Sequence, residues 1–189
     1  MSTLDVSAMR DDNHRATHAN LTAMAGELVK ERLRQGQSVC FIIASSSMRP
    51  WLQPGSRVRV RAADPAALRM GDVVVVRTAH GEWRAHRLIR RLQRGSAAGW
   101  VTKGDGAPYA DEPLAPTCIS GLVVAAMRAG AGWTDWRTSA MRRAGMATAI
   151  ISRGAGVAVR SGSPLIRWLA TGCARIGIRL IYWLTCVAG

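Results

Sequence analysis

From Ser38 to Met127 the chain is divided into short apolar, β-branched runs, each closed by residues that favour turns. Val39 to Ala44, Val58 and Val60 alternating with Arg, and Val73 to Val76 read as strands. Pro54-Gly55, Gly71-Asp72, His80-Gly81 and Gly95-Ser96 supply the breaks. Further strands fit at Trp83–Leu92, Gly99–Lys103 and Ile119–Met127. Short strands at this spacing predict a mainly β domain over residues 37–128, a curled antiparallel sheet or barrel.

The flanks have a different pattern. Residues 1–19 are polar, after which Leu21, Met24, Leu28, Val29 and Leu33 recur at helical spacing behind an Asn20 cap, with Gly36 as the stop. Residues 1–36 therefore predict a polar start and one short amphipathic helix, without the apolar core of a secretory signal. His14 and His18 stand four apart but have no third ligand nearby, so they are read as solvated. Residues 129–189 form a basic segment with two expected helices, Thr138–Arg160 and Pro164–Val187. Ser163 suits a cap there, and Pro164 a first turn. No uncharged run reaches the roughly 18 residues a membrane-spanning helix needs, and the longest, Pro113 to Met127, reads as loop and strand.

Charge is the unusual element of the composition: 26 Lys and Arg face 12 Asp and Glu, for a net charge of +14. From Arg128 to Gly189 there are nine Arg, no Lys and a single acid, Asp135. Such an excess calls for an anionic partner, nucleic acid or anionic lipid. No recognised DNA- or RNA-binding motif is present, which sets nucleic acid aside. A helical wheel gathers Arg142, Arg153, Arg160, Arg167 and Arg175 on one side and assigns Ile150, Ile151, Val157, Leu165, Trp168, Ile181 and Trp183 to the other. That composition predicts peripheral attachment to an anionic membrane surface. The plainer alternative packs these helices on the sheet with their arginines in water. Cys40, Cys118, Cys173 and Cys186 form no C-x-x-C pair and no zinc-ligand spacing with His, so they are read as reduced, half-buried small residues. Neither a metal nor a cofactor is expected.

Three stretches carry chemistry. Ser45-Ser46-Ser47-Met48-Arg49-Pro50 stands where an apolar strand gives way to a proline-fixed turn, a place that presents a hydroxyl instead of burying it in a ladder. His86-Arg87 lies inside a strand-like run, and imidazole is the side chain suited to take a hydroxyl proton near neutral pH. Thr102-Lys103-Gly104-Asp105 is followed by Asp111 in a loop holding Gly106, Ala107 and Pro108. Singly, each has an ordinary structural explanation: a turn, a packed histidine, solvated loop acids.

Together with Gly71-Asp72-Val73-Val74, and in this order, the stretches resemble signal peptidase I, specifically its endoplasmic-reticulum and archaeal type, over about Gln37–Arg128. The branch that uses Lys in place of His86, and the related self-cleaving repressors, are the less similar relatives. The resemblance implies a serine endopeptidase cutting signal or leader peptides. Carried over by that resemblance, Ser47 would be the nucleophile and His86 the base, and the Ser47 N–H, with the Ser45 hydroxyl, would form the oxyanion site. Either Asp105 or Asp111 would orient the imidazole. Asp72 is assigned to the turn, and Met48 to the core under the serine. Trp51, where the family commonly has Thr, and Ser46, often Gly, depart from the pattern, as does the lack of a membrane helix before the serine box. A non-catalytic or self-processing regulatory module of the same fold is the alternative.

Overall fold

The expected strands form, in a computed structural model that describes residues 23–78, 82–94, 97–128, 130–159 and 164–186. A helix over residues 23–34 (α1) leads into β1 (Val39–Ile42), β2 (Arg57–Arg61), β3 (Val73–Arg77), β4 (Trp83–Arg94) and β5 (Ala97–Lys103). A single 3-10 turn, Pro116–Cys118, precedes β6 (Ile119–Met127) and β7 (Trp133–Asp135). Two long helices follow, α2 (Ser139–Val159) and α3 (Pro164–Cys186). His14, His18, the Asn20 cap and the turns at His80-Gly81 and Gly95-Ser96 lie outside the described residues.

All pairings are antiparallel, in the order β1-β2-β6-β3-β4-β5, with β7 added beside β6. The path is open at β1 and β5, so among the described residues the sheet does not close into a barrel. Register shifts at Arg59/Val60, Val75/Val76 and Leu88/Arg90 interrupt the ladders, and such irregularities bend and twist a strand.

Side-chain alternation explains the cores. In β2 the arginines face water while Val58 and Val60 are fully buried, each contributing about 1.5–3 kcal/mol. β3 is covered on both faces, which is why it reads as an unbroken run of valine: Val73 and Val75 pack with Leu33, Met48, Leu52 and Val58, Val74 and Val76 with Leu68, Leu88 and Trp100. α2 lies on the sheet at Gly71, whose φ of +97° suits glycine and whose ideal Cβ would stand 2.6 Å from the Met146 nitrogen. Trp51, Met141, Ala144 and Ile178 complete a cluster joining the serine segment to both helices.

Three expectations fail. Of the apolar positions read into the first helix, Val29 and Leu33 pack on the core but Met24 and Leu28 are exposed. Cys40, Cys118 and Cys173 are exposed, not half-buried; Cys40 alternates with the inward Val39 and Phe41, and Cys173 falls on the outer side of α3. The side chain of Cys186 lies outside the described residues. The wheel also misplaces Ile150, which is exposed. Ile150 shares the outer face of α2 with Arg142 and Arg153. The side chains of Arg160, Arg167, Val157, Leu165 and Trp168 lie outside the described residues.

Candidate active site

The serine turn is fixed from below. Met48 and Leu52 are buried to 1% and 0% exposure, the Leu52 N–H donates to the Met48 carbonyl, and the Arg49 N–H donates to Ser46. With these anchors in the core, Ser45 and Ser47 are left on the rim, their hydroxyl oxygens 3.1 Å apart. The Ser47 N–H donates to no backbone carbonyl among the described residues.

β4 supplies the imidazole. Successive strand residues point to opposite faces, so His86 and Arg87 are sent to opposite sides of the sheet. His86, 5% exposed, has Nε2 3.3 Å from Ser47 Oγ and Nδ1 2.5 Å from Asp111 Oδ2. Arg87, on the other face, holds Asp105 with two charge-assisted bonds of 2.8 and 2.7 Å and donates to the Gly71 carbonyl at 2.7 Å. Its guanidinium also lies 5.5 Å from the Trp51 ring and 6.0 Å from Trp136. Of the two carboxylates left open by the sequence, Asp111 therefore touches the imidazole, while Asp105 is committed to a buried ion pair.

The chain after β5 turns back to make this possible. Trp100 and Leu114 exchange two backbone hydrogen bonds of 2.9 Å, and the Asp111 N–H donates to the Thr102 carbonyl, which brings Asp111 alongside β5. The Thr102 hydroxyl then donates to Asp111 Oδ2 at 2.6 Å, and Arg84 Nη1 lies 3.5 Å from Oδ1. Burial pushes the Asp111 carboxyl up. The hydrogen bonds from His86 and Thr102, with the charges of His86 and Arg84, more than offset this and hold it below the ordinary carboxylate value. The sequence marks Thr102 only as the first residue of the 102–105 stretch, without a role of its own, and gives Arg84 no role.

Gly104 sets the distance between loop and serine. Its ideal Cβ would stand 2.6 Å from the Ser47 carbonyl oxygen and 3.1 Å from His86 Nε2, and the Gly106 N–H donates to that same carbonyl at 2.8 Å. Lys103 beside it is buried, and desolvation lowers its pKa. Asp72 accepts the Arg69 N–H at 2.8 Å in the turn opening β3, and burial raises its pKa.

Ser45, Ser47 and His86 border a groove of about 550 Å³, lined on its apolar part by Phe41, Ile43, Met48 and Ala85. β1 forms one wall and ends the sheet, so among the described residues its outer edge is not paired within it. A hydroxyl within 3.3 Å of an imidazole that is itself paired with a carboxylate thus borders a groove beside a strand edge. Comparison with protein-family models, curated proteins and solved structures finds no match for this chain.

Proposed function

We propose that this chain is a serine endopeptidase of the signal peptidase I type, acting on signal or leader peptides. The carrying observation is the line Ser47–His86–Asp111, with contacts of 3.3 and 2.5 Å, at the edge of a partly apolar groove. Ser47 Oγ attacks the scissile carbonyl carbon while His86 Nε2 takes the hydroxyl proton. The oxygen of the tetrahedral intermediate is stabilised by the Ser47 N–H and the Ser45 hydroxyl, each such donor being worth about 10²–10³-fold. The C–N bond then breaks, His86 gives its proton to the leaving amine, and water repeats the sequence to release the acyl group from Ser47. Asp111 keeps Nδ1 as the donor and stabilises the imidazolium. The substrate adds along the β1 edge, its small residues entering beside Phe41, Ile43 and Ala85, in a sheet whose bends approach a barrel-like curl. Peptide or preprotein and an anionic membrane surface are the partners, the chain being held peripherally through α2 and α3. No helix among the described residues is long and apolar enough to cross a membrane.

The test is hydrolysis of an internally quenched peptide with small residues before the cut. Ser47→Ala and His86→Ala are each expected to lose at least about 10²-fold in kcat/KM. Wild-type rates in either variant would overturn the assignment.

A further inference from the structure

The serine turn has a second side. On its other side, Ser46, Arg49 and Gln53 of the turn line a cleft of about 510 Å³ together with Arg175, Ile178 and Arg179 of α3 and with Asp105 and Gly106. Arg49, Arg175 and Arg179 are not ion-paired with any carboxylate among the described residues. Asp105, the only acid among the described lining residues, is already bound by Arg87. Three guanidiniums around one cleft make a site for a multiply charged oxyanion, which guanidinium recognises through paired N–H donors.

The rest of α3 says what carries that anion. Ile178, Ile181 and Tyr182 face α2 and the serine segment. The opposite side is also apolar: Leu169, Ile176, Leu180, Trp183 and Leu184 recur at spacings of seven, four, three and one along α3, and Ile176, Leu180 and Trp183 are 68, 58 and 54% exposed. At about 100° per residue, Arg175 and Arg179 lie between the packed side and this open one. From Ser139 to Cys186 the sequence has seven Arg and no acid. An occupant must therefore offer an anionic head to the cleft and an apolar body to the stripe beside it.

We propose that the Arg49–Arg175–Arg179 cleft binds the phosphate of an anionic phospholipid while the outer face of α3 enters the acyl region next to it. This deepens the interfacial reading of the C-terminal helices. Because the 45–50 turn separates cleft from groove, with Gly106 on the cleft lining hydrogen-bonded to the Ser47 carbonyl, a headgroup in the cleft holds the groove at the bilayer surface.

The experiment measures binding of the full chain to phosphatidylglycerol–phosphatidylcholine vesicles and to phosphatidylcholine vesicles, at one ionic strength. Binding is expected to favour the anionic vesicles. Arg175→Gln with Arg179→Gln is expected to weaken that binding about 30-fold, since each basic residue near an anionic leaflet accounts for about a fivefold factor. Arg142→Gln with Arg143→Gln on α2 removes the same charge away from the cleft and is expected to cost clearly less. Equal losses in the two double variants would reduce the effect to overall charge and overturn the site. Ile176→Ser with Leu180→Ser is expected to weaken binding to both vesicle types, and unchanged binding would overturn insertion of α3. Saturable binding of glycerol phosphate without vesicle binding would assign the cleft to a soluble anion and overturn the lipid. Ser47→Ala is expected to bind vesicles as the wild type does, so a failure here is separate from a failure of the peptidase reading.

Discussion

Gly104→Ala tests whether the spacing between the loop and the serine turn governs the chemistry. Gly104 does not have a positive φ, so alanine can adopt its backbone and the effect is one of space. The new Cβ would stand 2.6 Å from the Ser47 carbonyl oxygen, 3.1 Å from its carbon and 3.1 Å from His86 Nε2, where ordinary contact begins at 3.4 Å. The obstacle is backbone, held in turn by the Gly106 N–H, and cannot swing aside as a side-chain tip does. Relief requires the serine turn and the loop to separate by about 0.5–1 Å, with the methyl wedged against the imidazole. The Ser47–His86 contact is already 3.3 Å, so such a shift breaks it. A displacement of about 1 Å can cost about 10²-fold, and overpacking costs about 1–3 kcal/mol of stability. The assay is kcat/KM on the quenched peptide together with Tm, using Gly132→Ala, whose Cβ meets nothing within 4 Å, as the control. A folded Gly104→Ala enzyme with wild-type kcat/KM would refute the reasoning.

The two carboxylates are expected to separate by assay. Asp111→Asn should lose about 10³–10⁴-fold in kcat/KM with a small change in Tm, because the imidazole loses its orienting charge. Asp105→Asn should instead destabilise the fold by about 3–5 kcal/mol in denaturant unfolding, because it leaves the buried Arg87 guanidinium without its counter-charge; the reverse pattern would contradict both contacts. A depressed Asp111 pKa means that its carboxylate contributes stability above the ordinary carboxylate value and loses it as pH falls through the folded value. Acid unfolding of the wild type should therefore be steeper than that of Asp111→Asn, and superimposable curves would count against the Thr102 and His86 hydrogen bonds.

The strands were readable because each is bounded by turn residues and patterned by burial: β2 alternates Val with Arg, and β6 begins and ends where expected, at Ile119 and Met127. β7 was not readable, since Trp133–Asp135 is three exposed residues without an apolar face. Ser47 and His86 stood out only through the order of the four stretches and the resemblance they carry together, since singly each has an ordinary structural explanation. The choice between Asp105 and Asp111 did not, because it depends on strand alternation at His86-Arg87 and on the Trp100–Leu114 pairing that returns the loop, and both act through space. How the apolar residues of α3 divide was not legible either, because α3 is apolar on two sides: that of Ile178 and Tyr182 packs on α2 and the serine segment, while Ile176, Leu180 and Trp183 are exposed.

The central claim is that Ser47 is the acylated nucleophile, and intact-mass analysis of the chain with a slowly deacylating peptide ester tests it most directly. The expected result is a mass gain equal to the acyl fragment, located on Ser47 by fragmentation, absent from Ser47→Ala and greatly slowed in His86→Ala. Hydrolysis or an acyl adduct that persists in Ser47→Ala would contradict the account.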